Sequence, residues 1–164
     1  MLSGFDVNSL IQILIFIVIS GQLYFLQKTY KSDHERRKKQ STIEYVNQIR
    51  NYYKPLGTKL VKKFGNNTIN LDQIDDETRT NIREILSVLE HMSVGVNTNV
   101  YDFNILNRMS GSYLLRMYHR LLPYIKDRQK HNPTAYIEFE TICKKIDDLK
   151  KINYKSNKGN IEYS

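Results

Sequence analysis

The chain has 164 residues, a formal net charge of +8 and a single cysteine. One cysteine excludes an intramolecular disulfide framework and any multi-cysteine metal site, and it fits a reducing compartment. The positive charge implies attraction to anionic surfaces, meaning lipid headgroups, nucleic acid or nucleotides.

Val7 to Gln27 carries no ionisable side chain, and the basic run KTYKSDHERRKK follows it directly. As a helix rising about 1.5 Å per residue, this stretch reaches roughly 30 Å, the hydrocarbon thickness of a bilayer. A secretory signal would place positive charge before a shorter apolar stretch, whereas Met1 to Asp6 hold no Lys or Arg. Core helices of soluble domains rarely run so long without charge. Residues 1–27 are therefore expected to form an N-terminal transmembrane anchor. Lys28, Lys31, Arg36, Arg37, Lys38 and Lys39 lie on its C-terminal side. This bias puts the N-terminus outside the cell membrane and the rest in the cytoplasm. Residues 28–40 read as a basic stalk whose six cations contact anionic lipid.

The anchor also carries amides. At 100° per residue, Asn8, Gln12, Ile15, Ile19 and Gln22 fall within an arc of about 80°. Amides are costly in hydrocarbon unless they find partners, so the stripe is expected to face another copy of the helix or a water-filled axis. The expectation is a homo-oligomer in which Ile15 and Ile19 form an apolar constriction. The alternative is a monomeric anchor, with Asn8 and Gln22 at the interfaces and Gln12 left to explain.

Residues 41–151 read as a cytoplasmic helical domain. STIE has the form of a capping box, Ser41 accepting from the backbone at Glu44 and Glu44 reaching back. Ile43, Val46, Ile49, Tyr53, Leu56, Leu60 and Phe64 repeat at three and four, with Pro55 and Gly57 expected to kink or interrupt the helix. GNNTINLDQIDDE is a loop, with Asp75 or Asp76 suited to cap a helix bearing Ile82, Ile85, Leu86, Leu89 and Met92. That helix should end at VGVNTN, where Gly95 permits a turn. Asp102 caps the next, which buries Phe103, Leu106, Met109, Leu114, Met117, Leu121 and Ile125. Within it, Ser110, Gly111 and Ser112 either bend the helix or admit a close neighbour. A last helix opens with Asn132 as cap and Pro133 in its first turn, burying Tyr136, Phe139, Cys143, Ile146 and Leu149. Periodicity is lost from Lys150, and 152–164 reads as a disordered tail. No segment alternates with period two. The fold class is all-α, one N-terminal transmembrane helix followed by a bundle of about four helices.

Motifs for catalysis are missing: there is no phosphate-cradling glycine loop, no nucleophile elbow and no paired-His helix. His34, His91, His119 and His131 are scattered, and Cys143 sits on an apolar face as a small hydrophobe. No enzyme activity, catalytic residue, metal or cofactor is expected. Arg116, His119, Arg120 and Arg128 share a helix with Tyr118 and Tyr124. One reading is a groove for an anionic ligand such as a nucleotide or nucleic acid, since Arg forks suit phosphates and Tyr stacks bases. The favoured reading is structural, with Glu90, Glu138 or Glu140 pairing Arg116 or Arg128 between helices.

Glu90, Gly95, the Val100-Tyr101-Asp102 turn, Gly111, Pro123, Ile125, Arg128, Tyr136, Phe139 and Glu140 form a pattern that, with the anchor in place, resembles a family of small bacterial single-pass membrane proteins. The family's cytoplasmic helical domain has no known function. The resemblance implies no reaction and no residue role. Small membrane proteins of this build serve as effectors in antiviral defence, which makes a pore-forming effector one expected function. A passive tether or scaffold for a cytoplasmic partner is the other.

Overall fold

The computed structural model describes residues 7–65 and 67–161, with side chains described as far as Ile152. These residues form α1 (Val7–Phe64), a 3-10 turn (Leu71–Gln73), α2 (Asp76–Asn97), α3 (Phe103–His131) and α4 (Ile137–Ile161). No strand occurs among the described residues, so the all-α expectation holds. The chain divides into two units, Met1–Lys38 and Lys39–Ser164.

Helix α1 contains the apolar segment, the basic run and the first helix of the bundle without a break at Ser41. The expected capping box is therefore not a helix start. Residues 28–40 are rich in Lys, Arg, Glu and Gln and hold no Gly or Pro, so the helix propagates and needs no second nucleus. Glu44 instead accepts from Gln40 Nε2 at 2.9 Å. In the first unit no described side chain is buried, and Phe16 and Phe25 are 71% and 68% exposed. Among the described residues, one helix is by length and composition apolar enough to cross a membrane.

The second unit is built on period. Val46, Ile49, Tyr53 and Leu60 of α1 are buried as expected, together with Thr42 and Gly57 between them. The helix continues past Pro55, whose side chain is exposed, while Thr58 Oγ1 donates to the Lys54 carbonyl at 2.9 Å. Asp75 caps α2 by accepting from the Thr78 amide at 2.8 Å. Ile82, Ile85, Leu86, Leu89 and Met92 are all buried. Helix α2 ends at Asn97, and the positive φ falls on Asn99, not on Gly95. Gly95 is helical, and its lack of a Cβ makes room for the Tyr101 ring, which stacks on Tyr45 at 4.7 Å between centroids.

Asp102 caps α3 as expected, accepting from the Ile105 amide at 2.9 Å. Its own amide donates to Thr42 Oγ1 at 2.8 Å, which joins the start of α3 to α1. Helix α3 runs through Ser110, Gly111, Ser112 and Pro123. Gly111 admits a neighbour: Ile146 Cγ2 of α4 lies 3.5 Å from where its Cβ would stand. Contacts at Thr42–Asp102, Arg50–Met109 and Gly65–Arg120 advance together, so α1 and α3 run parallel there. Tyr52–Glu84 and Lys63–Thr78 advance in opposite senses, so α2 is antiparallel to α1.

Helix α4 does not begin at Asn132 and Pro133. Asn132 closes α3, its Oδ1 accepting from Thr134, and Tyr136 at φ 60° turns the chain before Ile137. Phe139, Cys143 and Ile146 are buried as expected, and Ile142 joins them. The helix extends past Lys150 to Ile161, supported by Lys150 Nζ on Ser112 Oγ and the Lys151–Asp147 pair one turn apart. The stretch read as a disordered tail is thus helical from 152 to 161, and 162–164 lie outside the described residues.

Candidate functional site

In the first unit, Asn8, Gln12, Ile15, Ile19 and Gln22 all lie on exposed positions of one continuous helix. Helical geometry keeps them within one arc, so the amides share a face that no other part of this unit covers. Lys28, Lys31, Arg36, Arg37 and Lys39 are likewise exposed, and Lys38 is half-buried.

In the second unit the carboxylates do fix helix register, but not through arginine. Glu90 of α2 accepts from the Glu138 amide at 3.2 Å and the Phe139 amide at 2.8 Å. It caps the first turn of α4 across the bundle, where Tyr136 leaves the helix without a local acceptor. Burial raises the Glu90 carboxyl above its ordinary range, against the pull of the two amides. Glu140 of α4 binds Lys126 of α3 at 3.2 Å, Gln129 at 3.0 Å and its own Lys144 at 3.0 Å. Burial pushes the Glu140 carboxyl up, but the bonds from Gln129, Lys144 and Lys126 outweigh it and hold it down to about 2. In place of the expected pairs with Arg116 or Arg128, Lys126 and Gln129 are the α3 residues that face the start of α4.

The residues expected to form an anionic-ligand groove separate. Arg116, His119 and Arg120 meet Thr68 around an open cleft of about 280 Å³. Arg120 is 7% exposed, its Nη2 donating to the Gly65 carbonyl at 3.1 Å and its carbonyl accepting from the Ile69 amide. It therefore pins the loop that follows α1. Tyr118 turns toward α4, edge-on to Phe139 at 6.0 Å, and burial with the Glu140 charge pushes its hydroxyl up to about 12. Tyr124 is in the core, and Arg128 lies exposed near the end of α3, where its charge is felt at Tyr136. Cys143 is 1% exposed, its thiol pushed far up by burial, so no thiolate nucleophile is available. Among the described residues no group of three or more His, Cys, Asp and Glu could hold a metal ion.

The family described as a domain of unknown function, DUF4760, matches residues 10–146. The chain belongs to this family. The DUF4760 match takes in most of the apolar segment of α1, the basic run and the bundle as far as Ile146 of α4. No curated protein and no solved structure matches the chain. The Glu90 cap, absent from the groove and ion-pair expectations, had one signal in the sequence: the residue before Ile137 is Tyr136, not a Ser, Thr, Asp or Asn that could cap the amides of the helix start.

Proposed function

We infer that this is a bacterial single-pass membrane protein that assembles through its anchor, with the N-terminus outside and the bundle in the cytoplasm. The observation that carries the reading is the stripe of Asn8, Gln12 and Gln22 on a helix with no buried side chain between Val7 and Gln27. Contiguous apolar surface of this extent is not stable in water, which argues for lipid around most of the helix. Amides in lipid need partners, and a second copy supplies them at roughly 0.6 to 2 kcal/mol per pair. Lys28 to Lys39 on one side set the orientation. In the assembly Ile15 and Ile19 line the axis and close it by dewetting, so the protein controls membrane permeability. The setting we propose is antiviral defence, a role that small membrane proteins of this build take, where opening such an axis would depolarise an infected cell.

Crosslinking and membrane depolarisation test this in cells expressing the parent, Gln12→Leu and Ile19→Ser. Gln12→Leu should weaken the crosslinked oligomer, and Ile19→Ser should make the membrane leak. Parent-like behaviour in both removes the pore and leaves a tether. The second reading, a membrane-tethered scaffold for an anionic ligand, is favoured by the cleft of Arg116, His119, Arg120 and Thr68.

A further inference from the structure

The charged run after the anchor is not uniform around the helix. Asn8, Gln12, Ile15, Ile19 and Gln22 are separated by alternate steps of four and three, and the same steps lead on to Leu26, Thr29, Asp33 and Arg36. This alternation is the heptad spacing by which one face of a helix keeps meeting a parallel partner. Helix α1 passes through all these positions without a break, and every one of them is exposed.

At 100° per residue from Asn8, Asp33 falls at about 340°, inside the arc of the amides. Arg36 and Arg37 fall at about 280° and 20°, on either side of Asp33 and one turn further along. Lys28, Lys31 and Lys38 fall at about 200°, 140° and 120°, on the opposite side, and Glu35 at about 180° lies among them. The two kinds of cation are thus sorted by face. Lysine is a strongly hydrated point charge suited to the headgroup side, whereas the planar guanidinium fork matches a carboxylate. Asp33 is the carboxylate on the arginine face. Arg37 is four residues on from it, a spacing that allows pairing along one helix. Among the described residues, however, none of the ion pairs involves Asp33, Arg36 or Arg37.

We propose that Asp33 of one copy pairs with Arg36 and Arg37 of the adjacent copy, a charged layer that continues the amide seam of the anchor on the cytoplasmic side. This pairing rests on the anchor-assembly reading. Copies inserted by the same basic bias run parallel, and amides that meet amides hold them in register. In such a seam a side chain enters the gap between residues at its own level and one step further on in the facing helix. Asp33 therefore meets Arg36 of the neighbour, with Arg37 beside it, while Lys28 and Lys31 face outward to the headgroups. Each copy offers both the acid and the base, so the contact repeats around a closed assembly. Its role is specificity: charges beside a seam choose partner and orientation more than they add affinity.

The test is sedimentation equilibrium of the full chain in uncharged detergent micelles. Asp33→Arg, and the double variant Arg36→Asp with Arg37→Asp, should each weaken self-association by about fivefold, the upper range for an exposed pair. Mixed together, with a fluorophore on the N-terminus of one, they should form hetero-oligomers at least as tight as the assembly of the parent, because an all-basic face then meets an all-acidic one. About 1 M salt should erase that recovery. Glu35→Lys, on the lysine face, should associate as the parent does. Recovery on mixing separates an intercopy contact from a loss of helix stability, which mixing does not repair. Parent-like association of both charge variants, or no recovery on mixing, overturns the pairing. If Gln12→Leu still weakens the assembly in that case, the anchor reading stands; a parent that sediments as a monomer removes both.

Discussion

Between Val7 and Gln27, α1 carries isoleucine, leucine and phenylalanine on every side, and none of them is buried; between Thr42 and Leu60 it carries fewer apolar residues, and Val46, Ile49, Tyr53 and Leu60 are all covered. The difference is not hydropathy, which is higher in the uncovered stretch. It is spacing. In the bundle half, the buried residues recur at three and four and meet α2 and α3, so each has a partner within the chain. In the apolar half the face that stands out is the one shared by the amides of Asn8, Gln12 and Gln22. No described part of its own unit covers it, and on the proposed reading its surroundings are lipid and another copy.

The largest test of this contrast deletes one side chain from each half. Leu60 is 1% exposed, so Leu60→Ala should lower bundle stability by about 2 to 5 kcal/mol, the lost transfer energy plus the cavity left behind. Ile17 is 59% exposed, and Ile17→Ala should leave bundle unfolding within about 0.5 kcal/mol of the parent. Denaturant unfolding of the full chain in detergent, followed by circular dichroism, reads both. An equal loss from the two would mean that the apolar half is packed against this chain after all.

The same contrast explains what the sequence made legible. Spacing named the buried faces of α2 and α3 nearly residue by residue, because period is a local property of an amphipathic helix. Local cap chemistry found Asp75 and Asp102. It failed at Ser41 and Asn132, where the same residue types sit inside a helix or at the end of one, since neighbouring helix propensity decides which. The partners of Glu90 and Glu140 were not legible. Most of their donors lie on other helices, and which cation faces a carboxylate depends on rotation about α3 that no spacing specifies. The residues of the groove expectation part for a similar reason: Tyr118 meets Phe139 of α4 and Tyr124 is in the core, while Arg116 and Arg128 stay exposed.

Polar groups of the bundle should then show the mark of internal partners in their pH dependence. Glu140 ordinarily titrates near 4.5, and in the fold its carboxyl is held down to about 2. A depressed carboxyl contributes stability that is fully present above its unfolded value and is lost as pH falls through the folded one. Bundle stability should therefore decline between about pH 4.5 and pH 2, with a loss on the order of 2 kcal/mol after allowing for the exposed lysines. Glu140→Gln should remove part of this acid limb while lowering stability at pH 7, the remainder belonging to other depressed carboxyls such as Asp75, which Lys63 and Thr78 hold down. Unfolding midpoints measured across that range decide it, and an unchanged acid limb in the variant would place the responsible group elsewhere.

The smallest effect separates two residues that look alike in sequence. Asp102 and Ser41 each precede an apolar periodic run and each resembles a helix cap, but only Asp102 stands at a helix end, where it accepts from Ile105. Asp102→Ala should cost about 1 kcal/mol, because an amide of the first turn loses its acceptor. Ser41 is exposed inside α1, where the backbone amides already find carbonyls four residues earlier. Alanine has the higher helix propensity, so Ser41→Ala should be neutral or stabilising by a few tenths of a kcal/mol. Paired urea titrations of the two variants give the comparison directly. A loss at Ser41 comparable with that at Asp102 would mean that the helix restarts there in solution, and that the basic run of 28–40 is a linker between two helices and not part of one.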